Sequence, residues 1–169
     1  MAINDDEIVP LAVTFERSYQ ASVADLWDLW TTKEGFESWW GPQGFRVAVH
    51  RIEPRVGGAL VYDMIAVGRE EIEFMRKTFS GVSHATRGSF TQVVPHKRLV
   101  LSHVIDFVPG QPAYENRMRV EFFAEGKMAR MVIAVQAHST PEWTQASRMG
   151  MESQLTKLPE VLAARAAAR

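Results

Sequence analysis

The 169-residue sequence predicts an α+β fold, a curved antiparallel sheet of about six or seven strands wrapped around a long C-terminal helix, with two short helices after the first strand. Three observations predict it. Apolar residues between positions 45 and 138 recur mostly with period two, as in strands that bury one face. Turns containing Gly, Pro or charged residues separate these runs and make them an antiparallel meander. Only the C-terminal segment carries an apolar helical stripe large enough to cover such a sheet.

The elements follow in order. Leu11, Val13, Phe15, Arg17 and Tyr19 alternate with Ala12, Thr14, Glu16 and Ser18, which reads as a first strand. Ser22 stands as N-cap before Val23, Leu26, Trp27 and Trp30, spaced i, i+3, i+4 and i+7 on one helical face. "KEGFESWW" adds a second helical turn, and Gly41-Pro42 reverses the chain. Phe45, Val47 and Val49 form the next strand, and "PRVGG" (54–58) is the hairpin into Leu60, Tyr62 and Met64. Ile72, Met75, Arg76 and Phe79 have helical spacing in a charged segment that Gly81 stops, a short helix in a mobile connection. Strands are expected at 89–94, 99–107 and 117–124, with "EGK" (125–127) turning into a last one at 128–138. Ser139 and Glu142 are placed to form a capping box, Pro141 suits a first turn, and Met151, Leu155, Leu158 and Leu162 share one face. Pro159 is expected to kink or restart this helix.

Composition narrows the function classes. Hydrophobic residues are 46% and charged residues 23%, values of an ordinary folded chain, and one domain over 1–169 is expected, with its core at 8–165 between short flexible tails. Nineteen Lys plus Arg against twenty Asp plus Glu leave a net charge of −1, so nucleic acid is not an expected partner. The absence of cysteine excludes disulfides, thiolate metal sites and cysteine nucleophiles. The N-terminus is acidic where a signal peptide is basic, and no apolar run is long enough to span a bilayer, so a cytoplasmic protein is expected. His50, His84, His96, His103 and His138 lack metal-ligand spacing, and no GxSxG or phosphate-binding glycine loop occurs, so neither metal nor cofactor is expected.

Several stretches together, "LWDLWTTKEGFESWWGPQGF", "RVGGALVYDM", "EIEFMRKT", "RGSFTQVVPHKRLVLSHVIDFVPG", and "EWT" followed by "GMESQLTKL", resemble one family across Val9 to Ala163. It is the helix-grip superfamily of START lipid-transfer domains and the birch-pollen allergen, often called SRPBCC. Within it, the chain resembles the branch named after the activator of the heat-shock-protein-ninety ATPase. The resemblance implies a cavity between the sheet and the last helix. Members commonly carry Gly-Trp where this chain has Gly150-Met151, which implies a more apolar, more adaptable pocket floor. In the eukaryotic activators the domain works beside an amino-terminal domain that 169 residues do not hold, so no chaperone interaction is expected.

The candidate site residues follow from the faces. Trp39 and Trp40 are adjacent and point in different directions, so at most one lines a cavity while the other braces the core. Phe45, Tyr62, Met64, His103, Ile105, Met118, Val120, Phe122 and Met131 lie on runs expected to face the helix that bears Met149, Met151 and Leu155. The eight methionines suit either a surface that repacks around varied apolar ligands or an imperfectly packed core. His103 replaces an apolar residue in the face Leu99, Leu101, His103, Ile105, Phe107; burial favours its neutral form, and Tyr62 or Tyr114 is available to fix its tautomer. Phe74, Met75 and Phe79 form the inner side of a lid or of a solvated loop helix. The expected function is binding of a small hydrophobic or amphipathic molecule without catalysis. The alternatives are cyclase- or hydrolase-type chemistry with His103 as acid or base, and interaction of the chaperone-activator kind. Exposed apolar strand edges favour a homodimer.

Overall fold

The computed structural model describes residues 11–79 and 81–169. Its elements are β1 (Leu11–Tyr19), α1 (Val23–Thr31), α2 (Lys33–Glu37), β2 (Phe45–Ile52), β3 (Ala59–Ala66), α3 (Arg69–Phe79), β4 (Ser83–Val94), β5 (Arg98–Ile105), β6 (Tyr114–Glu125), β7 (Met128–Gln136), α4 (Pro141–Leu155) and α5 (Leu158–Ala167). The seven strands form one antiparallel sheet in the order β1-β7-β6-β5-β4-β3-β2. Register shifts in β1, β2 and β4 curl it, as bulges do. The acidic segment before residue 11 lies outside the described residues.

Local chemistry accounts for the element ends. The Ser22 hydroxyl accepts from the Asp25 amide at 3.1 Å and starts α1; Thr32 caps α2 through the Gly35 amide at 3.0 Å. Gly58 is required at the β2–β3 hairpin, since a Cβ there would stand 1.9 Å from the Glu53 carbonyl. The C-terminal segment is two helices, broken at Thr156-Lys157 before Pro159, and α5 continues to Ala167, beyond the end expected for the core. Met151, Leu155, Leu158 and Leu162 are all buried.

Four expectations are corrected. The cap of α4 is Thr140, whose hydroxyl accepts from the Trp143 amide at 3.2 Å; the Ser139 amide instead donates to the Tyr114 hydroxyl, which places Pro141 at the first helical position. Strand β4 begins at Ser83 rather than Ser89, its polar start held by pairing with β3. Strand β6 begins at Tyr114 rather than Arg117, while β5 and β7 end two residues earlier than expected. Met149 is 63% exposed and turned away from the sheet, since 100° per residue puts it off the stripe of Met151 and Leu155.

One end of the space enclosed by the sheet is filled. Leu26, Leu29, Trp30, Phe36 and Trp39 from α1, α2 and the following turn pack on Leu60, Phe90, Leu99, Val120 and Ile133 with 1% exposure or less. The other end is not filled, and that difference positions the site.

Candidate functional site: the apolar cavity

A cavity of about 330 Å3 lies between the inner face of the sheet, α3 and α4. Its walls bring together Trp40, Phe45, Tyr62, Met64, Phe74 and Met75, and beyond them His103, Ile105, Met118 and Met151. Of the other residues singled out from the sequence, Trp39, Val120, Phe122, Met131 and Leu155 are buried in the filled end, and Tyr114 lies behind His138. The β-sheet register explains the division. Leu99, Val120 and Ile133 lie in one cross-strand row at the filled end, while Met118 paired with Val135 one row further along, and His103 paired with Asn116 two rows along, line the cavity.

The two tryptophans divide the work. The Trp39 indole donates to the Leu29 carbonyl at 2.9 Å and packs edge-on against Trp30, 5.0 Å between ring centroids, wholly inside the core. The Trp40 indole turns the other way, donates to the Tyr62 hydroxyl at 3.0 Å and lies parallel to the His103 ring. The turn that follows them is fastened to the C-terminal helical segment. Gly41, with φ of 99°, donates its amide to Gln154 Oε1 at 2.9 Å, and its carbonyl accepts from Lys157 Nζ at 2.7 Å.

Trp40, Tyr62 and His103 thus form a polar row at the cavity floor, with His103 Nε2 3.3 Å from the Tyr62 hydroxyl. Tyr62 on β3 and His103 on β5 reach each other diagonally across β4, where Thr86 pairs with Tyr62 and Gly88 with His103. A Cβ on Gly88 would meet the Ser102 carbonyl at 2.6 Å. Burial, with the neighbouring His138 adding to it, lowers the His103 pKa from 6.5 to about 4. Burial likewise holds the Tyr62 hydroxyl above its ordinary value and His138 below its own. The Tyr114 hydroxyl, one of the two partners considered for His103, is instead 2.8 Å from His138 Nδ1.

The mouth is aromatic. Phe79, His84, Phe107 and Trp143 contact one another in sequence, and Phe74 sits on Phe79 while remaining 55% exposed. Helix α3 therefore covers the opening with Met75 buried beneath it. His84, Thr86, Phe107, Asn116, Val135, His138, Trp143 and Gln154 also line the cavity and were not among the candidate site residues read from the sequence. For Asn116 a signal existed: it stands two before Met118 on the same strand face, and starting the strand at Arg117 hid it. His138 and Trp143 come from the β7–α4 connection and the first turn of α4, whose direction no periodicity fixes. Three histidines line the cavity, yet among the described residues no three His, Asp or Glu side chains converge as metal ligands do.

No helix among the described residues is long and apolar enough to cross a membrane. No curated protein matches the chain at a significant level. Solved structures do. A protein from Chromobacterium violaceum is 18% identical, with a TM-score of 0.70 over 89% of this chain and 96% of that one. A protein from Nitrosomonas europaea is 20% identical, with a TM-score of 0.69 over 92% and 96%. An AHSA1 protein from Silicibacter pomeroyi is 18% identical, with a TM-score of 0.71 over 90% and 98%. These show the helix-grip fold: a curled sheet closed by a C-terminal helix. The profile of the activator of Hsp90 ATPase homolog 1-like proteins matches residues 20–163, nearly the whole length over which the motifs above run, and the chain belongs to that family.

Proposed function

We propose that the protein binds a small apolar or amphipathic molecule in this cavity and catalyses no reaction on it. The observation that carries the reading is a void of about 330 Å3, at the small end of ligand pockets, whose walls are mostly aromatic, Met and aliphatic side chains with a few polar groups gathered at one end. A space of this kind left inside an otherwise close-packed domain costs stability, and a ligand that fills it recovers the lost contacts.

Trp40 and Trp143 line the cavity and report its occupancy. Bromobenzene, a compact apolar heavy-atom quencher, is expected to quench part of the tryptophan emission saturably. Ser147→Phe, which turns a ring from α4 into the void, is expected to weaken this by about tenfold or more with little change in melting temperature. Quenching that rises linearly and identically in both proteins defeats the reading.

One observation favours a second reading. The contact between Tyr62 and His103 is the arrangement that proton chemistry on a bound substrate would use, with His103 as base. A pKa near 4 makes this imidazole a weak base at neutral pH, which is why binding is preferred. Turnover of any substrate that disappears in His103→Phe, with binding retained, would reverse that preference.

A further inference from the structure

The cavity contains a hydrogen-bonding pair that the protein leaves open. His103 and Asn116 stand directly opposite each other in the β5–β6 register, and both are more than nine-tenths buried, with 8% and 5% exposure. Asn116 uses its amide nitrogen on the carbonyls of Gln136, at 3.1 Å, and Ala137, at 3.4 Å, which leaves Oδ1 as an acceptor without a partner among the described residues. The Tyr62 hydroxyl accepts from the Trp40 indole and lies 3.3 Å from His103 Nε2; the tautomer that uses this contact with Tyr62 as donor carries the ring proton on Nδ1. Nδ1 has no partner among the described residues either. Neither atom is among the enclosed, unpartnered polar atoms of the described side chains, and both belong to residues of the cavity wall, so both open onto the void.

Among the described residues, Gln154 and one ring nitrogen of His138 already have protein partners: Gln154 holds the Gly41 amide and the Met151 sulfur, and His138 meets Tyr114. Among the described residues no Asp, Glu, Lys or Arg lines the cavity; the carboxylate nearest its lining histidines is Asp106, 3.8 Å from His84 towards the mouth. An ionised ligand group at the His103 end would be stripped of water with no counter-charge beside it.

We infer that the cavity selects an uncharged ligand whose apolar body carries one hydroxyl group, accepting from His103 Nδ1 and donating to Asn116 Oδ1. The inference rests on the binding role proposed above and specifies the chemical class bound. A hydroxyl satisfies both open atoms; a methyl group leaves both unpaired, and a carboxylate offers no proton and brings a charge.

Three probes with one bicyclic body separate these cases by calorimetry at neutral pH: 2-naphthol, 2-methylnaphthalene and 2-naphthoate. The naphthol is expected to bind about tenfold or more tightly than the methyl compound, with the naphthoate weakest. His103→Phe and Asn116→Leu are each expected to reduce the naphthol-to-methylnaphthalene ratio to about threefold or less. The wild-type comparison stands even if Asn116→Leu, which also frees two carbonyls, fails to fold. Naphthoate binding as tightly as naphthol, equal affinity for naphthol and methylnaphthalene, or a ratio that survives both changes overturns the inference while leaving apolar binding intact. Failure of all three probes to bind removes the binding role itself.

Discussion

At the residue scale the most informative side chain is His103, an imidazole placed where strand periodicity calls for a hydrophobe. Its sequence context announced burial; it did not announce the partner, because Tyr62 lies forty-one positions away and reaches it only across β4. The depressed pKa has a thermodynamic consequence. In the unfolded chain His103 takes up a proton near its ordinary 6.5, whereas in the fold it does so only near 4. Its contribution is therefore fully present above the unfolded value and is lost as pH falls through this window. From about pH 7 to about pH 4.5 this amounts to roughly 2 kcal/mol. Urea unfolding across that range is expected to show the loss in the wild type and a correspondingly smaller one in His103→Phe. Equal pH slopes in the two proteins would mean that the imidazole is charged or solvated in the native state.

At the element scale, strand and helix identities were legible and their ends less so. Alternation of apolar residues marked every strand, since one face of each packs inward and the pleat has period two. The polar beginnings of β4 and β6 were missed because pairing with β3 and β5, rather than side-chain burial, holds them in the sheet. The cap of α4 is a sharper case: both Ser139 and Thr140 are competent caps, and the Tyr114 hydroxyl settles the choice by taking the Ser139 amide. Thr140→Ala is expected to cost about 1 kcal/mol in unfolding free energy and Ser139→Ala a few tenths at most. A larger loss at Ser139 would restore it as the cap.

At the scale of the whole molecule, the sheet encloses a filled end and a hollow end, and the same kind of substitution should behave differently in each. Ile133 is surrounded by core residues, whereas Met118, next but one along the paired strand, has the void on one side. Ile133→Ala is expected to cost about 3–4 kcal/mol and Met118→Ala about 1–2 kcal/mol, because the second removes fewer contacts. Similar costs at the two sites would indicate that the hollow end collapses onto its lining in solution. A saturating apolar ligand should raise the cost of Met118→Ala towards that of a packed position, since the side chain then has neighbours on all sides.

The sequence by itself determined the order of elements, the inward faces of the strands, the breaking of the last helix near Pro159 and the family resemblance. Each of these depends on periodicity or on local backbone chemistry, which act over a few residues and are written in consecutive positions. Only the tertiary structure decided which of Trp39 and Trp40 meets the cavity, where the core stops filling, and which polar groups stand at the boundary. Those outcomes depend on pairings such as Gly41 with Gln154 and His103 with Asn116, between segments remote in sequence, and on how much side-chain volume the curvature of the sheet leaves to be filled.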